Sequence, residues 1–226
     1  MGLLKNLGYF DKVVVLNVDK RICEQERLNK DVKSLGGSPV YFIVGDGKVN
    51  NQTYDRINIE PSKEWMNGPF KRLRNSYNAF LSYQDIIKDA KEKNLNNICL
   101  LEDDVEFRCN AEVLMSINLN ILHDKWDLLY LGANHTWAKT KKVAPNLLQI
   151  DGSVCWHAIA LNKTVFDEIL SWKPDRPIDD KAKELHKKYR CYAIWPSIAV
   201  QRPGFSNVEG RFVDYSKYWD CIGEQI

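Results

Sequence analysis

With 226 residues, 44% of them hydrophobic and 27% charged, the chain has the composition of a globular protein and the length for one domain with a sizeable core. A formal charge of +2, from 32 basic and 30 acidic residues spread along the chain, excludes a polybasic arm and argues against nucleic acid as partner. No apolar run is long enough to span a bilayer, and the first ten residues carry neither a signal peptide nor, with Asn6, a myristoylation motif, so no membrane insertion is expected and a cytoplasmic setting is, in a bacterium or the host of a virus.

The run "KVVVLNV" from Lys12 is β-branched almost throughout, as in a strand covered on both faces. Ile22, Leu28, Val32 and Leu35 then follow helical spacing up to Gly36-Gly37, and "PVYFIV" is a second buried strand, stopped by "GDG". Strand, helix and strand in that order predict a parallel sheet. From Lys48 to Pro69 the sequence is polar and aperiodic and reads as a long loop. Leu73, Tyr77, Phe80, Leu81 and Ile87 mark a helix, and "NNICLLEDDVEF" supplies a third strand ending in three carboxylates. A helix over Ala111 to Leu122, a strand "WDLLYLG", a polar loop "NHTWAKTKK", a strand pair through Leu148 and "VCWHAIAL", and a helix from Thr164 to Leu170 follow. From Pro196 onward no period is visible, which predicts an irregular tail. The fold class is thus α/β: one mostly parallel central sheet with helices on both faces. The six cysteines form no CxxC pair and two sit in apolar runs, so they are read as reduced.

Glu102, Asp103 and Asp104 carry the chemistry. In an open α/β sheet ligands gather outside the carboxyl ends of the strands, where these three residues must lie if Ile98 to Leu101 form a central strand. Extended backbone would turn Glu102 and Asp104 one way and Asp103 the other. Carboxylates this close stay ionised together only with a cation among them, and hard oxygen ligands suit magnesium or manganese shared with phosphate. The motif therefore predicts a metal-bound diphosphate; the plainer alternative is a solvated acidic turn.

In order along the chain, "VVVLNVDKR", "VGDGK", "LLEDDVEF", "WDLLYLG", "PIDD" and "WPSIAVQRPGFSNVEG" resemble family 25 glycosyltransferases, the lipooligosaccharide and collagen galactosyltransferase group. The resemblance runs from about Val13 to Gly210 and departs from the family at Tyr83, where a histidine is usual, and at "SVC" after Gly152. It implies a GT-A fold with a nucleotide-sugar-binding half over about 12–105, an acceptor and catalytic half over about 106–201 and a tail over 202–226. It also implies sugar transfer, with inversion, from a nucleotide sugar, expected to be UDP-linked, to a glycan or other hydroxyl acceptor. In that setting Asp104 is the foremost metal ligand, with Asp103 on the metal or on ribose or sugar hydroxyls and Glu102 in support.

Asn17, Arg21 and Asp46, past the first two strands, stand where the nucleotide would bind, and Arg74 in "KRLR" would meet the diphosphate; each has an ordinary alternative as a cap, turn or solvated residue. Asp179 and Asp180 are candidates for the general base, Asp179 favoured by the Pro-Ile-Asp resemblance, against the alternative that either caps a helix. His157 reads as a satisfied strand histidine, whereas His135, Trp137, Tyr215, Tyr218 and Trp219 are candidates for sugar stacking. Rival readings are a nucleotidyltransferase-like metal enzyme and a non-catalytic carbohydrate-binding protein.

Overall fold

The computed structural model describes residues 6–18, 22–44, 53–54, 60–70, 74–108, 125–219, 221–222 and 224–225. Strand β1 (Lys12–Val18) leads into helix α1 (Ile22–Ser34), which buries Leu28 and Val32. The helix ends where Gly36, at φ 75°, lets the Gly37 N–H reach back to the Val32 carbonyl at 2.9 Å, the six-to-one bond of a Schellman motif. Strand β2 (Pro39–Val44) returns parallel to β1 and pairs with β3 (Thr53–Tyr54). Within the expected long loop, helix α2 (Lys63–Asn67) forms instead, capped by the Ser62 hydroxyl and anchored by buried Trp65. Five residues with one apolar anchor are too few to show a period. Helix α3 (Arg74–Glu92) presents Tyr77, Phe80, Tyr83, Ile87 and Ala90 to the core and leads to β4 (Asn97–Glu102) and β5 (Val105–Phe107).

Beyond the expected helix at 111–122, which lies outside the described residues, come β6 (Leu128–Asn134), β7 (Lys139–Ala144), β8 (Leu147–Asp151) and β9 (Val154–Asn162). Part of the expected polar loop is therefore a strand: β7 alternates a buried Thr140 with exposed lysines and so reads as polar. The two strands expected to pair do not; β8 lies between β7 and β10, and β9 between β4 and β6. Helices α4 (Phe166–Ser171), α5 (Ile178–Lys181) and α6 (Lys183–His186) precede β10 (Cys191–Ile194), and the tail contains β11 (Ala199–Gln201), β12 (Gly204–Ser206), β13 (Arg211–Val213) and β14 (Glu224–Gln225).

The main sheet runs β14-β7-β8-β10-β6-β9-β4-β1-β2-β3. Among the described residues five of its nine pairings are parallel and four antiparallel. Alternate strand residues separate into two cores. Val14, Leu100, Tyr130 and Ile159 pack under α3 and α4, while Val13, Val15, Leu101, Leu129 and Ala160 pack with α1, so helices cover both faces. The fold is α/β, as its sequence pattern implies. The described cysteines, Cys23, Cys99, Cys155, Cys191 and Cys221, are free thiols, and no described helix is long and apolar enough to cross a membrane.

β11, outside the main sheet and paired with β5, crosses β6 at Gly132, where a Cβ would stand 1.7 Å from the Ala199 carbonyl oxygen. The Ile198 N–H donates to the Leu131 carbonyl at 3.0 Å beside that crossing. Gly132→Ala must push β11 off the sheet, and overpacking of this kind costs about 1–3 kcal/mol. Urea denaturation should show a loss of that size; an unchanged midpoint would mean that β11 sits elsewhere.

Candidate functional site

Carboxylates gather where β4 ends. Residues 103–104 are a turn and not a continued strand, and β5 leaves it to pair antiparallel with β11, Gln201 opposite Val105. The turn is held from both sides. Arg27 Nη2 donates to the carbonyls of Asp103 and Val105 at 3.2 and 2.7 Å, and the Arg202 N–H donates to the Asp104 carbonyl at 3.0 Å. The Gln201 amide Nε2 donates to Asp104 Oδ2 at 3.0 Å and lies 3.5 Å from Glu102 Oε2, so Glu102 and Asp104 converge on one donor, brought together by the turn and not by the expected extended-strand alternation. Asp103 is buried at 5% exposure.

Tyr83, on α3, donates its hydroxyl to Glu102 Oε1 at 2.7 Å, with the Trp156 carbonyl 3.3 Å from the same hydroxyl oxygen. Burial and then the charge of Asp104 push the Glu102 carboxyl up to about 8, while the Tyr83 hydrogen bond pulls it back. Burial, with Glu102 adding, holds the Tyr83 phenol well above its ordinary range, so it stays a donor. Gln201 and Tyr83 were not among the site residues read from the sequence. The signal for both was the family resemblance, Tyr83 as the departure from its usual histidine and Gln201 within "WPSIAVQ".

Glu102, Tyr83, Gln201 and Asp179 line one cleft of about 760 Å³, together with residues at the end of β6 and the start of β9 and with residues of the β12–β13 hairpin and the segment after it. Asp179 opens α5 after Pro177. Its Oδ2 accepts the Cys155 N–H at 3.2 Å and its Oδ1 the Asp180 N–H at 2.9 Å. Cys155, at φ 76°, holds the left-handed backbone that non-glycine residues rarely adopt, and so spends conformational energy where its N–H meets Asp179. Burial raises the Asp179 carboxyl above its usual range against the two N–H groups that lower it. Asp180 does not line the cleft; its carboxylate meets Lys183 Nζ at 2.7 Å. Neither aspartate occupies the N-cap of α5, which Pro177 fills without a side-chain bond.

Of the nucleotide-side candidates, Asn17 is 1% exposed near the carboxyl end of β1, one residue past the register partner of Glu102. Arg21 and Asp46 lie outside the described residues, as does the side chain of Arg74. Asn75 Nδ2 donates to the Asn207 carbonyl at 2.5 Å, joining α3 to the tail. His135 is no stacking surface: it is fully buried, with Nδ1 2.7 Å from the Ser153 hydroxyl. Trp156 packs with the α3 core while His157 points to the other face, its Nε2 donating to the Ala199 carbonyl at 3.2 Å and burial pushing it down to about 4. His157 is thus a neutral structural histidine.

The donor set suits a hard divalent cation. Glu102 and Asp104 present oxygens to a common point, where an amide N–H now lies between them, and magnesium or manganese sites use one or two carboxylates with phosphate and water completing the shell. Among the described residues no group of three or more His, Cys, Asp or Glu side chains is arranged to hold a metal, so any such shell would need its remaining ligands from outside this cluster.

Sequence comparison adds a relationship. The similarity is to procollagen galactosyltransferases. The chain is 31% identical over 136 residues to procollagen galactosyltransferase 1-B of Xenopus laevis, a match covering 54% of this chain and 21% of that protein. It is 24% identical over 148 residues to procollagen galactosyltransferase 2 of Homo sapiens, covering 62% of this chain and 24% of that one. The chain thus spans less than a quarter of the length of these relatives. No protein-family model matches it. Among solved structures, A197 from STIV aligns over 89% of this chain and 93% of that chain, at a TM-score of 0.43 and 9% identity.

A carboxyl raised by folding favours the folded state while it is protonated. That contribution is complete below the ordinary glutamate range and is lost as pH rises through about 8 for Glu102. In chelator, melting temperature should therefore fall between pH 5 and about 8 through Glu102. Glu102→Gln, which cannot ionise, should flatten that slope; an identical slope would show that Glu102 is not the group responsible. Asp180→Ala removes only a half-exposed pair and should change stability by less than about 1 kcal/mol in denaturant titration.

Proposed function

We propose that the chain is a metal-dependent glycosyltransferase that moves a hexose from a UDP-linked donor to a hydroxyl acceptor with inversion. The observation that carries the reading is the convergence of Glu102, the Gln201 clamp and Asp179 on one cleft at the carboxyl end of a central strand. The distant similarity to procollagen galactosyltransferases supports it.

Asp104 would hold the cation with Glu102 beside it, and Asp103, in the same turn, is the candidate for the metal's other side or for ribose or sugar hydroxyls. Bound there, manganese or magnesium would neutralise the departing diphosphate. The protein's own part falls to other side chains. Tyr83 fixes the Glu102 carboxylate from the α3 side, and Gln201 fixes the edge it shares with Asp104. Asp179 accepts the proton of the acceptor hydroxyl as its oxygen bonds the anomeric carbon and the bond from that carbon to the diphosphate oxygen breaks. Each Asp179 oxygen already takes one backbone N–H and keeps a lone pair for that proton. Its raised affinity for protons suits a base. Asn17, Arg21, Asp46 and Arg74 remain the nucleotide-side candidates.

Hydrolysis of a panel of uridine and guanosine sugars with manganese tests the reading, alongside calorimetry of UDP. UDP affinity should collapse in chelator, because the diphosphate would otherwise face the carboxylates directly. Asp104→Asn should abolish turnover while the protein still melts as a folded domain. Asp179→Asn should keep metal-dependent UDP binding and lose roughly 10²–10⁴-fold in transfer, the scale of a missing general base. UDP binding that ignores the metal, or transfer at the parental rate in Asp179→Asn, would sink the respective assignment.

A further inference from the structure

The outer rim of the cleft is aromatic. Trp219 is 1% exposed with its ring 4.8 Å from His157 of β9, and Tyr215 meets it edge-on at 6.2 Å. Tyr215 in turn lies 6.5 Å from Tyr218, and Tyr218 lies 6.4 Å from Trp137 with the planes tilted by 43°. A buried anchor on the sheet thus positions the rim through a relay of rings. Trp137, in the turn between β6 and β7, is 78% exposed. The Lys217 ammonium stands 4.8 Å over the Tyr218 ring, so the open surface of the pair belongs to the indole. All these rings border the cleft that contains Glu102 and Asp179.

An exposed tryptophan alone needs no explanation. One held against a second ring, at the mouth of a cleft floored by carboxylates, has the form of a platform for a flat, amphipathic ligand. A sugar ring has that form, an apolar face of C–H groups edged by hydroxyls. The hydroxyls would find Glu209 and Arg211, which line the same cleft and pair with each other, Glu209 also accepting from Tyr215. A nucleobase is the other flat candidate, but strand order opposes it. β1, whose carboxyl end carries the nucleotide-side candidate Asn17, lies on one side of β4, whereas β9 and β6 lie on the other and Trp137 follows β6.

We infer that the acceptor is itself a sugar: a glycan ring stacks on Trp137, backed by Tyr218, and presents its hydroxyl toward Asp179. This rests on the glycosyltransferase reading. The probes are methyl glycosides of galactose, glucose and N-acetylglucosamine and their disaccharides, titrated into the full chain by tryptophan fluorescence and saturation-transfer NMR, with a procollagen peptide as the competing acceptor class. At least one glycoside should bind through its ring protons. Trp137→Ala should weaken it about tenfold, the equivalent of one aromatic packing contact. Trp137→Phe should recover most of the loss, and both variants should keep the parental melting temperature and UDP affinity. With UDP binding intact, absence of glycoside binding, indifference to Trp137→Ala, or use of the peptide alone overturns the inference and leaves the transferase reading standing. Trp137-dependent glycoside binding in a protein that binds no UDP overturns the transferase reading and, with it, the assignment of the ring as an acceptor.

Discussion

The carbonyl of Ala199 occupies the space where residue 132 would carry a side chain, and the arrangement of the site follows from that contact. Because position 132 is glycine, β11 can lie directly on β6, and His157 of β9 donates to the same carbonyl. With β11 seated, Gln201 is carried to Glu102 and Asp104, and Arg202 to the carbonyl of Asp104. A segment nearly 100 residues away in sequence thereby fixes the turn that follows β4. Arg27 of α1 closes the other side, so the backbone of the acidic turn has donors on both flanks, while Glu102 at the end of β4 lines the cleft.

That division has an energetic consequence. A buried carboxyl without a basic neighbour is raised toward its neutral form, and Glu102 shows it, since burial, Asp104, Asp103 and Asp179 all act in one direction and only Tyr83 opposes them. Core packing alone would be better served by apolar residues here. The cluster is therefore a place where local stability is given up, and a divalent cation would reverse the sign of the balance by favouring the ionised forms. Tyr83 fits this description well: as a phenol it can donate to a carboxylate but adds no competing charge, and burial keeps it protonated across the working range.

Strands β1 and β4 were legible because they are buried on both faces; β2, expected to be buried, leaves Val40 exposed. "KVVVLNV", "PVYFIV" and "NICLL" carry their assignment in composition, and the glycines after α1 mark its end. The sheet's second half was less so. β10 is the four residues "CYAI", too short for a pattern, and its place between β8 and β6 comes from long-range pairing alone. β7 is near an edge and mostly lysine and threonine, so the rule that reads loops from polarity misreads it. At the site, the acidic run at the end of β4 is a local feature of the sequence, and His157 is a satisfied strand histidine as expected. What the sequence could not show was the meeting of distant pieces: that the Cys155 N–H reaches Asp179, or that Asp180 turns to Lys183 instead.

The tail has no period because its strands are two or three residues long and lie apart, with β14 alone among the described ones joining the main sheet, at its edge beside β7. β12 and β13 form a three-residue ribbon whose inner residues wall the cleft, and the turns after it are held by single rings, not by a continuous apolar face. Burial of Trp219 against His157 therefore does for the tail what a helix stripe does for α3, with one side chain in place of many. The consequence is a separation of tasks. The sheet and the β11 crossing set the carboxylates, while the rim that meets the outer part of any ligand hangs from one buried indole, so rim residues can change without disturbing the strand ends beneath them.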